Sequence, residues 1–231
     1  MKFGANLHAS VLPSHVKQIN LGGMAPSAAV TDWTTVPALG DPLGNDRWGC
    51  CCYAAKWTWA RLKYASRYGK VQPIATTDVL RDYAHTGFDP ATGAHDNGTD
   101  PNEMMLAWAK DPSQLVFEQE NWPVVWATVH PAMTDELAEA IAHGPLLMSI
   151  EASAADLDDP DKWCNPPPVA SGPLEGHEVL LCRNGPMWAV ASWGSYYDFH
   201  PSRVSQIVRI DAALEAAHTD LSRLGLDFSA T

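Results

Sequence analysis

The sequence has no apolar run long enough to cross a bilayer. Its longest stretches, such as GPLLMSI and EVLLC, fall far short of the roughly 20 residues a spanning helix needs. Positive charge is scarce as well: 15 Lys and Arg stand against 27 Asp and Glu, a net charge of −12. With no basic stripe interleaved with aromatics, binding to nucleic-acid backbones is not expected. Nor is there a disulfide framework. The five cysteines, at 50, 51, 52, 164 and 182, are odd in number and three are contiguous, which fits synthesis in a reducing cytoplasm. The opening MKFGANLHASVLPSH carries one Lys but no apolar core of a signal peptide.

What is present is a folded-protein composition. The 231 residues are 46% hydrophobic and 18% charged, enough apolar content and length to bury a sizeable core. Ten Trp point to aromatic packing in that core or along a cleft or interface. Residues 1–44 read as an extended arm punctuated by Pro and Gly, either wrapping the body or reaching an assembly partner. Residues 45–231 read as one domain, helical over about 45–115 and strand-rich over about 116–231.

Within it, the spacing Ala55, Trp59, Leu62 predicts a helix from Cys51 to about Tyr68, ended by Gly69. TDVLRDYAH predicts a second helix with Thr77 as cap and Leu80, Tyr83 and Ala84 inward. A third follows Asp100 as cap, with Pro101 in its first position and Glu103 completing a capping box. The acidic loop before it (Asp89, Asp96, Asn97, Asp100) does not match calcium-loop spacing and reads as a solvated turn. Later come LVFEQ, PVVWATV, PLLMSIEA, EVLLCR, MWAVASW and SQIVRI as strands, interrupted by a helix at TDELAEAIAHG. DAALEAAHTDLSRL predicts a closing helix.

The chemistry-bearing stretch is DRWGCCCYAAKWTWARL, residues 46–62, where three cysteines sit at a helix start. A thiolate there is favoured by the helix dipole and by unpaired backbone N–H groups. A nucleophilic thiol also needs a base, and His177, opening the strand HEVLLC 126 positions after Cys51, is the best candidate. That separation is close to the roughly 130 to 150 of papain-type enzymes. Adjacent cysteines lack the spacing to direct several sulfurs at one metal ion, and a disulfide between neighbours is strained.

VTDWTTVPALGDPLGNDRWGCCCYAA resembles the start of papain-like cysteine peptidases, where a Gly-Ser-Cys opens the central helix. EGHEVLLCRNGPMWAVASWGSYY resembles their Gly-His-Ala-Val strand followed by Asn-Ser-Trp-Gly. Closer in pattern are uncharacterised papain-like proteins of bacteriophages and bacteria, with motifs such as Gly-Asn-Asp-x-x-Gly-Asp-Cys. The resemblance spans residues 31 to about 215 and implies an α+β papain-like fold with a long central helix and a β-rich lobe. It implies Cys51 as nucleophile, His177 as general base, Asn45 at the oxyanion position, and Trp193 shielding the histidine. Ser192 and Cys52 are expected to line the cleft with Trp193. The family's histidine-orienting Asn falls at Ala191, and Ser192 is expected to be a poor substitute because it points to the opposite sheet face. Cys50 and Cys52 stand where the family has Ser and Trp.

Two functions follow. One is a cysteine peptidase or related amide hydrolase acting on peptide or protein, with no metal or organic cofactor. The other is an inactive papain-fold structural or binding protein, such as a component of a phage particle with a protein assembly partner.

Overall fold

The computed structural model describes residues 31–37, 39–110, 116–117, 120–121, 124–129, 131, 134–169 and 172–215. Most of the expected N-terminal arm, residues 1–30, lies outside the described residues. Its end, where Trp33–Thr35 form one 3-10 turn, packs on the chain's own body. Trp33 is buried and its indole N–H donates to the Ile141 carbonyl at 2.7 Å, while the Tyr196 hydroxyl donates to the Trp33 and Val36 carbonyls.

Helix α1 (Cys51–Tyr68) runs through the interior, and Gly69 ends it in the left-handed conformation, φ 67°, its N–H bonded to the Ala65 carbonyl. Buried on nearly every side, α1 carries cations that must be paired inside. Lys56 pairs with Asp82 of α2 (Thr76–Tyr83), which also accepts the Trp57 indole N–H at 3.0 Å. Lys63 reaches the His143 carbonyl at the end of α4 (Thr134–His143). Helix α3 (Pro101–Lys110) starts where Asp100 accepts the Asn102 N–H at 2.8 Å, as an N-cap should. Its Trp108 packs edge-on against Trp59 of α1, ring centroids 5.2 Å apart. The second helix departs from expectation at its start: Ala75, not Thr77, is the capping residue, and Val79, Asp82 and Tyr83 form the buried face. Asp82 is inside because Lys56 is.

The strands are β1 (Val116–Phe117), β2 (Glu120–Asn121), β3 (Val124–Thr128), β4 (Leu146–Ser153), β5 (Leu174–Arg183), β6 (Trp188–Ser192), β7 (Ser195–Phe199) and β8 (Ile207–Glu215). β1 and β2 pair alone; the others form one antiparallel sheet in the order β3-β8-β4-β5-β6-β7. A four-residue helix, α5 (Ala154–Leu157), follows β4. Helices before strands gives the α+β class, with α1 packed on β5 and β4.

One element differs outright from the sequence-based reading. DAALE, expected to open a closing helix, is the end of β8, and the remainder of that segment lies outside the described residues. Its Ala-rich sequence favours helix, but the strand lies in the middle of the sheet, paired with β3 and β4. Asp211 there is ion-paired with Arg209 and accepts the Thr128 hydroxyl at 2.8 Å.

Candidate active site

Cys51 is the first residue of α1, so its sulfur sits at the positive end of a helix of 18 residues. The preceding loop is fixed by its own backbone bonds: Asn45 N–H to the Pro42 carbonyl and Trp48 N–H to the Gly44 carbonyl. From outside, the Asp96 carboxylate accepts the Gly49 N–H and the Tyr83 hydroxyl, each at 2.9 Å. The loop read as a solvated acidic turn therefore holds the cysteine turn in place. Among the described residues no group of three or more His, Cys, Asp and Glu is placed to hold a metal ion.

His177 comes from β5, facing Cys51 across the packed helix and sheet. Its Nε2 lies 2.9 Å from the Ser192 hydroxyl. This corrects the expectation that Ser192 points away. Leu180 pairs with Ala191, so Ala191 shares the face of Leu180, and the next residue, Ser192, shares the face of Val179 and hence of His177. Ala191 packs in the core; Ser192 supplies the oxygen.

Trp193 follows as the first of two loop residues in the β6–β7 hairpin, with φ 45° and then φ 75° at Gly194. Two left-handed residues make the turn type that suits a two-residue hairpin. A Trp there is strained, and its contacts offset the strain. Its ring stacks on His177, centroids 4.4 Å apart and 8° between planes, and its indole N–H donates to the Asn45 carbonyl at 3.3 Å. Trp163, from the 3-10 helix Pro160–Cys164 that follows α5, backs this stack at 5.7 Å from Trp193. Gly194 is required: a Cβ would lie 2.8 Å from backbone atoms of Asp41, in the loop leading to the cysteines.

The Cys51 thiol is pushed well below the ordinary thiol range. A hydrogen bond with the Cys52 side chain is the main cause, joined by His177 and the Glu178 backbone N–H, against the opposing effect of burial. Cys52 is pushed up by that same contact and by burial, and Cys50 is pushed up by burial. All five cysteines are free thiols. Cys52, expected to line a cleft, is wholly buried, its sulfur 3.6 Å from the Thr99 carbonyl. Cys51 and His177 are also 0% exposed, and Asn45 is buried with its side-chain oxygen unbonded.

Sequence reasoning missed Asp96, Trp163 and Glu178. The last left a signal: an acid immediately after His177, directly before the apolar run VLLC of β5. Glu178 is buried, its Oε2 hydrogen-bonded to Ser149 Oγ at 2.6 Å. Ser149 faces Glu178 on one side and Arg209 on the other, a polar row across three strands.

Solved structures share this architecture. Xylellain, a cysteine protease from Xylella fastidiosa, superposes with a TM-score of 0.60 over 93% of this chain and 96% of its own, at 12% identity. A Carica candamarcensis cysteine protease gives 0.53 over 80% of this chain and 97% of its own, at 13% identity. The digestive procathepsin L 3 of Tenebrio molitor larval midgut gives 0.52 over 87% and 74%, at 13% identity.

The fold is papain-like.

No protein-family model matches the chain, and comparison with curated proteins finds no match. The likeness thus lies in the backbone arrangement rather than in extended sequence similarity. No helix among the described residues is long and apolar enough to cross a membrane.

Proposed function

We propose that the protein is a cysteine peptidase or related amide hydrolase working through Cys51 and His177. The observation that carries this reading is the His177 ring, held through Nε2 by Ser192 and stacked under Trp193, on the strand that packs against the helix start where Cys51 stands. With Nε2 on Ser192, Nδ1 serves the thiol. His177 takes the Cys51 proton and the thiolate attacks a carbonyl carbon of a peptide or protein substrate. The oxyanion is held by the Cys51 backbone N–H and the Asn45 carboxamide. His177 returns the proton to the leaving amine, and water then releases the acyl group.

The test is alkylation of Cys51 by iodoacetamide against pH, resolved by mass spectrometry, in wild type and His177→Ala. The expected result is fast alkylation well below pH 8, the ordinary thiol region lying near about 8.5, and loss of that reactivity in the variant. Alkylation no faster than at Cys164, and indifferent to His177→Ala, overturns the reading.

A second reading is favoured by one observation: neither Cys51 nor His177 has exposed surface. On it the fold serves as a binding or structural component, for example of a phage particle, and folds of this kind do not by themselves carry activity. The slow-alkylation outcome supports it.

A further inference from the structure

Trp163 meets both rings of the His177–Trp193 stack. Its centroid lies 6.4 Å from the imidazole and 5.7 Å from the indole. It is buried, and it also packs edge-on against Tyr197 and Phe199 of β7, at 5.9 and 6.0 Å. A ring can back the stack in this way only if the turn that carries it is held still. That turn, Pro160–Cys164, is five residues long and runs through Asn165 into Pro166, Pro167 and Pro168, which have no N–H to extend a hydrogen-bond ladder.

Arg203 holds it from the other side. The residue stands in the 3-10 helix Pro201–Gln206, between β7 and β8, and is 1% exposed. Its guanidinium donates to the Asn165 carbonyl through Nε at 2.8 Å and to the Lys162 carbonyl through Nη2 at 3.2 Å. Those two carbonyls flank Trp163. Its Nη1 pairs with the Asp156 carboxylate at 2.7 Å, while the Asp156 carbonyl accepts the Trp163 indole N–H at 2.9 Å. Gln206 completes the set, accepting from Arg203 and donating to Asp156, each at 2.9 Å. Arg203 therefore ties down the turn on both sides of Trp163, and also the residue that anchors its indole. A pair buried so deeply is weak as a source of stability, because desolvation offsets the attraction. What a planar fork of donors does supply is a fixed geometry.

We propose that Arg203 is a positioning residue for the active site, holding Trp163 against the Trp193–His177 stack so that the imidazole keeps its plane and its bond to Ser192 stays dry. The inference rests on the reading of Cys51 and His177 as nucleophile and base. Arg203 acts through Trp163 and not through its charge, which is committed to Asp156. Lysine at 203 would keep that charge, but a single ammonium cannot span the Lys162 and Asn165 carbonyls together.

The experiment is the pH profile of Cys51 alkylation by iodoacetamide in wild type, Arg203→Lys, Trp163→Leu and the double variant. N-acetylcysteine in the same tube is the standard, and urea unfolding of each chain reports stability separately. Arg203→Lys should lower the Cys51 rate near pH 6 about fivefold, the scale of one hydrogen bond, and move the profile up. Trp163→Leu should do at least as much, and the double variant no more than Trp163→Leu alone. If Arg203→Lys lowers the urea midpoint while its profile superposes on wild type, Arg203 is a stability residue and the proposal is overturned. If the two losses multiply in the double variant, Arg203 does not act through Trp163 and the proposal is overturned equally; in both cases the nucleophile reading stands. Wild-type Cys51 no more reactive than Cys164 removes the nucleophile reading, and this one with it. Should either single variant fail to fold, Asp156→Asn and Trp163→Phe take their places under the same criteria.

Discussion

Trp193 holds a left-handed backbone conformation that costs a bulky residue about 1–2 kcal/mol, and Gly194 beside it has no room for a side chain. Between them they connect the histidine strand to the cysteine loop. Gly194→Ala should destabilise the fold by more than about 1 kcal/mol and abolish fast Cys51 alkylation, read by urea unfolding and mass spectrometry on the same sample. Ser192→Ala is a milder change. It removes one neutral hydrogen bond to His177, so the alkylation rate near pH 6 should fall roughly five- to tenfold, with Ser192→Thr restoring it. The positions of Cys51 and His177 were readable because Cys51 begins a recognisable helix and His177 stands just before the apolar run VLLC, although β5 starts three residues earlier, at Leu174. The partnership of Ser192 was not, because it depends on the register between β5 and β6, and that register contains an irregularity between Leu181 and Arg183 that no motif reveals.

At the scale of elements, α1 was readable from its apolar spacing and its closing glycine, while its buried cations were not, since their partners lie on other helices. Lys56 is matched by Asp82 from α2. Asp82→Ala would strand that ammonium inside the protein and should cost about 3–5 kcal/mol, measured by urea unfolding. The polar row of Glu178, Ser149 and Arg209 makes a separate prediction. Burial, with Cys51 and Asp211 nearby, pushes the Glu178 carboxyl well above the carboxylate range, while Arg209 is committed to Asp211 and Asn102. Glu178 therefore keeps its proton in the fold at pH values where an unfolded glutamate, titrating near about 4.3, has lost it. The stability this group contributes is full below that unfolded value. It declines as pH rises towards the folded value, at about 1.4 kcal/mol per pH unit. Glu178→Gln should remove that decline, so its urea midpoint should fall less than wild type's between pH 5 and 8. Parallel slopes in the two proteins would show that Glu178 is already ionised in the fold.

For the molecule as a whole, helices followed by strands were enough to read the α+β class, and the paired cysteine and histidine motifs were enough to expect a papain-like arrangement. The place of β8 was hidden. Its residues Asp211–Glu215 carry helix-forming Ala and Leu, and what makes them a strand is their pairing with β3, while the first half of β8, Ile207–Asp211, pairs with β4. That topology has a consequence for biosynthesis. β3 and β4 leave the ribosome early, yet the strand that joins them is the last of the sheet to be made. Until β8 emerges, the edges of β3 and β4 are open to other chains, and Ser149 has no Arg209 across from it. Chains released before residue 207 should therefore accumulate as aggregates rather than as a smaller working protein, and the nascent polypeptide will depend on chaperone protection until β8 arrives.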